Sequence, residues 1–291
     1  MKKFGRSKQE KIILWVVFPI LFVWSITLIY PFIWAFLNSL KEVPEYYKNS
    51  FALPEKWLFS NWGKAFEQLK VPKTNPLYYA NLWEMLLNSL WYTLGGAFLS
   101  IMSAACLAYA VAKYRFKMCG FLYNLTIVAM MIPTLGSMAA EYKYFNLWGI
   151  TNSPLFLVTA CGSIGTSTFL IMYSVFKNMP WAYAESVFID GGGNWTAFVR
   201  IMIPQVMPML AALFLISCIG RWNDYLGPYL YLTDFPTLSM GLFRLENASL
   251  TVHNKPVYFA AVLISVIPIF VLFILFSDKI MSNVSIGGLK G

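Results

Sequence analysis

The strongest constraint on this chain is a series of long apolar runs separated by shorter, more polar connections. Hydrophobic residues make up 58% of the 291 residues and charged residues only 12%, against about 25% charged residues in a typical soluble domain. A run of about 20 apolar residues is long enough to cross the hydrocarbon core of a bilayer as a helix. The sequence therefore predicts an all-α integral membrane protein, because helices satisfy their own backbone groups within lipid.

Six runs have the length and composition of transmembrane helices. We place these spans at about 12–37, 86–112, 120–139, 155–176, 204–220 and 258–276. The predicted organisation is a cytoplasmic N-terminus at 1–11 followed by one transmembrane domain at 12–291. The first run lacks the short apolar core and the small-residue cleavage site of a signal peptide, so we expect it to remain as the first span.

Two of the predicted spans contain residues that are unusual in a membrane helix. Pro133 and Gly136 interrupt the third span, where a proline kinks or ends a helix. The fourth span has a polar middle, made of Cys161, Gly162, Ser163, Gly165, Thr166, Ser167 and Thr168. Small residues of this kind either let helices pack closely or offer hydrogen bonds to a solute, and the sequence leaves both interpretations open.

The charge distribution predicts which side of the membrane each connection occupies. An even number of spans places both ends on the same side of the membrane. That side carries 12 basic and four acidic residues, whereas the other side carries 10 basic and nine acidic residues. The positive-inside rule puts the side with the basic excess in the cytoplasm, and the long connection 41–80 counts little in that rule. This asymmetry accounts for the net charge of +9 without a nucleic-acid partner.

The sequence lacks the residue patterns that several kinds of functional site require. The cysteines (Cys106, Cys119, Cys161 and Cys218) and the only histidine, His253, form no Cys-x-x-Cys or zinc-ligand spacing, so a disulfide framework, a metal site and thiol catalysis are not expected. No predicted span carries a charged residue near its centre, as an ion-coupled secondary transporter requires. A membrane enzyme would need a catalytic constellation at depth, and the sequence shows none.

The stretch 177–204 is a polar interruption between two spans and is predicted to lie in the cytoplasm. Pro180 suits the first turn of a helix, which we place over 181–189. Its apolar face is predicted to contain Trp181, Ala184, Val187 and Phe188. With Glu185 alongside, such a face fits a groove on a partner protein; the alternative is a helix lying in the lipid headgroups.

A turn and a second short helix are predicted to follow. Asp190 and Gly191 mark the helix end, because glycine readily adopts the left-handed conformation there. Gly192 and Gly193 permit a reversal, and Asn194 is placed as the cap of the second helix. The apolar side of that helix would carry Phe198, Ile201 and Met202, and Pro204 would begin the fifth span.

The same stretch resembles the cytoplasmic EAA signature of ABC importer permeases. That signature reads Glu-Ala-Ala, three residues, Gly, nine residues, then Ile-x-Leu-Pro, and Glu185, Gly191, Ile201 and Pro204 stand at its spacings. The departures are Ser186 and Val187 for the two alanines and Ile203 for leucine.

Other landmarks are similar to the carbohydrate-uptake branch, the maltose-type inner-membrane components. They are Asn88-Ser89-Leu90, Ala108-Tyr109-Ala110, Pro133, Trp222-Asn223-Asp224 with Gly227-Pro228, and Gly287-Gly288-Leu289-Lys290-Gly291. Each is weak alone, but together they cover nearly the whole chain in order.

The resemblance implies a type I ABC importer permease fold with six transmembrane helices and a cytoplasmic coupling helix. The implied partners are a second homologous permease subunit, two cytosolic ABC ATPase subunits and an extracellular or periplasmic substrate-binding protein. The implied substrate is a carbohydrate, in a bacterial cell membrane with both termini cytoplasmic. The chain itself would be non-catalytic and hold no cofactor or metal, since ATP and Mg²⁺ would bind the ATPases.

The candidate site residues combine this resemblance, which implies the roles of Glu185 and Gly191, with the chemistry of the residues themselves, since sugars are bound by aromatic faces and polar side chains. Contact with the ATPase is expected at Trp181, Glu185, Ser186, Val187, Phe188, Asp190, Gly191 and Pro204. The substrate path is expected to include Asn88, Tyr92, Trp222, Asn223 and Asp224, for which interfacial aromatics and helix packing are the alternative explanations. An ABC importer of a non-sugar solute and an ion-coupled transporter remain alternative functions.

Overall fold

The computed structural model describes residues 8–74, 78–132, 136–162, 164–252 and 254–284. The landmarks at Pro133, Ser163 and His253 and the C-terminal glycine motif at 287–291 lie outside these residues. The described chain is mostly helical, with one exception to the predicted all-α class: β1 (Val71–Pro72) and β2 (Tyr79–Ala80) form a short antiparallel pair.

The helices follow one another along the whole described chain. Their bounds are α1 Lys8–Ser39, α2 Val43–Lys48, α3 Ser60–Gln68, α4 Leu82–Lys113, α5 Cys119–Met131, α6 Met138–Leu147, a 3₁₀ helix Pro154–Cys161, α7 Ser167–Asn178, α8 Ala182–Ile189, α9 Asn194–Thr196, a π-helical segment Ala197–Met202, α10 Ile203–Asn223, α11 Leu226–Tyr231, α12 Leu238–Val252 and α13 Lys255–Val284.

Within the described ranges, four helices are long and apolar enough to cross a membrane. They are Leu14–Ser39, Leu82–Lys113, Asn194–Asn223 and Lys255–Leu275. These helices correspond to the first, second, fifth and sixth predicted spans. The fifth is longer than predicted, because α9, the π-helical segment and α10 join end to end and the helix begins at Asn194 rather than at Pro204.

The third predicted span is not one continuous helix. Helix α5 ends at Met131 and α6 begins only at Met138. Gly136 lies between them with a φ of 83°, a left-handed conformation that interrupts a right-handed helix. The interruption predicted for the third span is therefore present, with Gly136 at the break.

The fourth predicted span is also broken, and the polar residues in its middle are the reason. The 3₁₀ helix ends at Cys161, Gly162 is extended, and Gly165 has a φ of 81°. Thr166 then caps α7, its Oγ1 accepting a hydrogen bond from the Phe169 amide at 3.4 Å. The prediction of a continuous helix over 155–176 is wrong, because these side chains and glycines end one helix and start the next.

The chain divides into two compact units. The first contains residues 1–69 and 245–266, and the second contains 70–244 and 267–291. In the first unit, the Nδ2 of the buried Asn61 donates to the carbonyl oxygens of Ser39 and Lys41, each at 2.9 Å. These bonds join α3 to the end of α1 and satisfy carbonyls that the helix terminus leaves open.

The core of the second unit forms where α4, α7, α8 and the start of the Asn194–Asn223 helix meet. Tyr109 lies at its centre, with ring centroids 5.4 Å from Phe176 and 4.7 Å from Phe198. Ala104 and Ala108 on the same helix are buried, and such small residues allow neighbouring helices to approach closely.

A carboxylate joins three loops of the second unit. Asp234 accepts hydrogen bonds from the Thr74 amide at 2.6 Å and from Asn152 Nδ2, and its own amide donates to Asn152 Oδ1 at 2.7 Å. Burial alone would raise the pKa of Asp234, but these hydrogen bonds and the nearby Lys73 outweigh it, and the pKa is lowered. The network therefore stabilises the loops above the ordinary pKa of aspartate and loses its effect as pH falls through the lower value.

We expect Asp234→Asn to loosen these loops by about 1 kcal/mol, because both of its oxygens accept hydrogen bonds and an amide can accept only on one. Hydrogen–deuterium exchange at pH 7 should be faster in residues 150–153 and at Thr74. The variant should also lack the acid-induced loss of protection that we expect in the native chain. Asp190→Asn, at an exposed position, is the control; equal exchange in all three proteins would contradict the prediction.

Candidate functional site

Helix α8 is fixed to the body of the second unit by its inner face. Ala184 is fully buried and Val187 is 9% exposed, and both belong to the core around Tyr109. Trp181, at the N-cap, lies 6.0 Å from the rings of both Tyr114 and Phe188. Trp181, Ala184 and Val187 therefore attach the helix to its own chain, and the contact of Trp181 and Val187 with an ATPase stays a prediction.

The outer face of α8 consists of different residues. Glu185, Ser186 and Asp190 are exposed, and Ile189 is 86% exposed. Phe188 lies at the edge of this face, 36% exposed. The exposed face of α8 thus carries acidic side chains and a hydroxyl, and Ile189 is its most exposed apolar residue. The sequence analysis did not single out Ile189.

The end of α8 is a Schellman turn that requires two glycines. Gly191 has a φ of 77° and its amide donates to the Phe188 carbonyl at 3.1 Å, while the Gly192 amide donates to the Val187 carbonyl at 2.8 Å. A Cβ on Gly192 would lie 2.5 Å from Val187 Cγ1. Gly191 is needed because the turn requires a left-handed backbone conformation at that position. Gly192 is needed because its backbone lies too close to Val187 for a side chain. The sequence analysis predicted only that Gly192 permits a reversal of the chain.

Two polar contacts connect the segments flanking α8 to the end of α4. The Nζ of Lys113 donates to the Met179 carbonyl, just before α8. The hydroxyl of Tyr114 donates to Asn194 Oδ1 at 3.0 Å, just after it. Asn194 therefore does not cap a helix as predicted: Gly193 occupies the N-cap position, and the Asn194 side chain is used to hold Tyr114.

Pro204 lies inside a helix rather than at the start of a span. It follows the π-helical segment Ala197–Met202 and occupies the first turn of α10. A proline has no amide hydrogen to donate, and a π-helical segment already shifts the hydrogen-bond register. The helix from Asn194 therefore passes Pro204 without a break.

The predicted substrate-path residues fall into two groups. Asn88 is 7% exposed, its Nδ2 donates to the Pro236 carbonyl at 3.1 Å, and its Oδ1 accepts from Trp91 Nε1 at 3.1 Å. Trp222 is also buried, at 6% exposure, and Asn223 Nδ2 donates to the Ile219 carbonyl at 2.8 Å within its own helix. Asn88 and Trp222 are therefore part of the chain's own packing, whereas Asn223 is exposed.

Tyr92 and Asp224 are brought together across 132 residues of sequence. The Tyr92 hydroxyl donates to Asp224 Oδ2 at 2.6 Å, and the Gly227 amide donates to Asp224 Oδ1 at 3.0 Å. A Cβ on Gly227 would lie 2.6 Å from Asp224 Oδ2 and 2.9 Å from the Tyr92 hydroxyl. The carboxylate is thus enclosed at the junction of α4, α10 and α11.

Arg221 completes this junction, and the sequence analysis missed its role. Its guanidinium carbon lies 5.8 Å from the centroid of the Tyr92 ring, within the range of a cation–π interaction. A Cβ on Gly96 would lie 2.6 Å from its Nη1, so the arginine reaches along α4 only because that position is a glycine. The sequence feature that could have indicated this contact is the spacing of three residues between Arg221 and Asp224.

We expect Tyr92→Phe to lower the free energy of unfolding by about 1–3 kcal/mol, because a partly buried carboxylate loses a donor. Gly227→Ala should also destabilise, through the clash with Asp224. Thermal unfolding of the purified protein in detergent measures both, with Tyr225→Phe at an exposed tyrosine as the control. A Tyr92→Phe protein as stable as this control would show that the hydrogen bond is not part of the fold's stability.

The fold is similar to that of a chain in a solved structure. The chain is 20% identical to a chain in the crystal structure of a bacterial ABC transporter involved in the import of the acidic polysaccharide alginate; the TM-score is 0.72, with 95% of this chain and 99% of that chain covered. This likeness shows a shared fold.

Relatives in sequence extend over most of the chain. The diacetylchitobiose uptake system permease protein NgcG of Streptomyces coelicolor is 26% identical, with 92% of this chain and 86% of the relative covered. The melibiose/raffinose/stachyose import permease protein MelC of Bacillus subtilis is 28% identical, with 90% and 91% covered. Residues 96–282 match the family described as the inner membrane component of binding-protein-dependent transport systems. The chain belongs to this family of inner-membrane transport components.

Proposed function

We propose that this chain is the permease subunit of an ATP-driven ABC importer that moves a carbohydrate delivered by an external binding protein. The family match over residues 96–282 carries the proposal. The names of the relatives support the substrate class, since both describe permeases for small oligosaccharides. The partners would be a second homologous permease, two cytosolic ABC ATPases, which hold ATP and Mg²⁺, and the binding protein. The chain itself would be non-catalytic.

The predicted membrane orientation is part of the proposal. Both termini and the loop 177–204 are placed in the cytoplasm of a bacterial cell, supported by the excess of basic residues on that side. We propose six crossings, with the broken segments 119–147 and 154–178 serving as the third and fourth. The domain boundaries at 1–11 and 12–291 follow from the same assignment.

Helix α8 is the proposed coupling helix. Its outer face, with Glu185, Ser186 and Ile189, would sit in a groove of one ATPase, while its inner face holds it to the transmembrane helices. Because Lys113 and Tyr114 bind the segments on both sides of α8, a displacement of α8 would move the end of α4 with it. This is rigid-body switching of an assembly with two discrete arrangements.

Uptake into proteoliposomes tests the transport function. The complex reconstituted with its binding protein should take up a labelled saccharide from a panel of diacetylchitobiose, raffinose and an alginate pentasaccharide. Uptake should require both ATP in the ATPase compartment and the binding protein. Uptake driven by an ion gradient in the absence of ATP would contradict the proposal and favour a secondary transporter.

Charge reversal on the outer face of α8 tests coupling. We expect Glu185→Lys to lower binding-protein-stimulated ATP hydrolysis by about tenfold, a loss of about 1.4 kcal/mol at the contact. The matched control is Glu67→Lys, an equally drastic change at an exposed position on α3. The variant should still assemble in the membrane, because Glu185 is exposed. Full stimulation of Glu185→Lys would remove the basis for docking through this face.

A further inference from the structure

The connection that follows α1 is fastened to the end of that helix. The Leu58 amide donates to the Leu40 carbonyl at 2.8 Å, and Trp62 Nε1 donates to Ser39 Oγ at 3.1 Å. The helix itself has little cover from the described chain, since every residue in the range 14–33 is exposed. The depth and tilt of α1 in a membrane therefore depend on what holds its ends.

A buried lysine fixes a turn in this connection. Lys41 is fully buried, and its Nζ donates to the Asn49 carbonyl at 3.0 Å. The Oδ1 of Asn49 accepts hydrogen bonds from the amides of Phe51 and Ala52, at 2.9 and 3.2 Å. An asparagine side chain that accepts from the backbone two residues further on closes a tight turn. The position of Phe51 relative to α1 is therefore defined.

The turn places Phe51 beside the last two turns of α1. Its ring centroid lies 6.3 Å from that of Trp34, which precedes the helix end at Ser39 by about 7 Å along the axis. Side chains on a helix lean towards its N-terminus, so the Trp34 ring lies deeper still. Phe51 is nevertheless 77% exposed and Leu53 68% exposed. Because α1 has the length and composition of a membrane helix, apolar side chains exposed at this level face lipid.

Two further aromatic side chains flank the point where the connection meets the helix. Trp57 and Phe59 stand on either side of Leu58, whose amide binds Leu40, and both are exposed. The end of a membrane helix lies at the level of the lipid headgroups, where aromatic rings such as that of tryptophan are enriched. The connection thus has one apolar tip below this level and aromatic rings at it.

The charges of the connection favour apolar insertion over attraction to anionic lipid. Residues 41–69 contain four lysines and four glutamates, and Lys56 pairs with Glu42 at 3.4 Å. A segment without net charge gains little from anionic headgroups. A water-soluble partner would have to reach Phe51 beside Trp34, below the membrane surface, so lipid is the occupant that this position fits.

We propose that the segment 49–59 is an interfacial lipid anchor. Phe51 and Leu53 insert into the lipid layer at the C-terminal end of α1, and Trp57 and Phe59 lie among its headgroups. This layer is the outer leaflet in the orientation proposed above. The anchor holds the end of a helix that the rest of the described chain leaves uncovered. It requires only that α1 crosses a bilayer, and it is independent of the transported solute.

Depth-resolved fluorescence quenching tests the anchor. In the complete complex in nanodiscs, with the native cysteines of this chain replaced by alanine, an environment-sensitive fluorophore is attached to Phe51→Cys, Leu53→Cys or Lys64→Cys. Lys64, exposed on α3, is the control. A lipid with a nitroxide near its headgroup should quench the first two probes about threefold more than the third, because an interfacial apolar surface lies about 5–10 Å into the headgroup and acyl boundary. Aqueous iodide should show the reverse order.

The other quenching patterns would overturn the anchor. Quenching at positions 51 and 53 by iodide alone would show that water surrounds the tip. Protection from both quenchers would show that a protein subunit covers it. The pattern should be the same in phosphatidylcholine with and without phosphatidylglycerol, and lipid quenching that appears only with the anionic lipid would overturn insertion by apolar contact.

A variant of the turn tests whether Asn49 positions the tip. With the fluorophore at Leu53→Cys, Asn49→Ala should lose about half of the lipid quenching, because the turn loses the side-chain acceptor that closes it. Ser50→Ala, in the same turn, is the matched control and should keep the full quenching. Equal quenching in the two variants would overturn the role of the turn.

Failure of the anchor and failure of the proposed function are distinguishable. ATP-driven uptake in a complex whose probes are quenched only by iodide would keep the importer and overturn the anchor. Lipid quenching in a complex without ATP-driven uptake would keep the anchor and overturn the importer.

Discussion

The packing of α8 against the end of α4 is the interaction on which any function of this chain depends. Val187 and Ala184 enter the core around Tyr109, and Lys113 and Tyr114 bind the backbone and the side chain on either side of the helix. Without these contacts α8 would be a short helix on a flexible loop, too small to be stable by itself. With them, α8 is fixed to the end of α4, so that a displacement of one would move the other.

The break in the fourth span is the second constraint. Gly162 and Gly165 leave the helix in a segment whose neighbours are apolar, and each unpaired backbone group there would cost several kcal/mol in lipid. The Thr166 cap meets part of this requirement by accepting a hydrogen bond from the Phe169 amide at the start of α7.

Apolar length was enough to predict the long helices, but not the broken ones. Hydropathy averages over a window, so the glycines at 136, 162 and 165 changed the average little while their conformations ended helices. For α8, an apolar stripe predicts that one face is buried, but it does not show whether the chain itself or a partner buries that face. In the structure Val187 is buried against its own chain, and Ile189 is exposed. The Tyr92–Asp224 pair was predicted as path residues, but nothing local in the sequence indicates a contact across 132 positions.

Arg221 shows why a charge near a membrane helix does not by itself indicate ion coupling. Its guanidinium lies over the Tyr92 ring and against Gly96, while Asp224 is held by Tyr92 and Gly227. A proton or ion carrier needs a group that exchanges its partner during transport, whereas Asp224 is held by hydrogen bonds from the Tyr92 hydroxyl and the Gly227 amide.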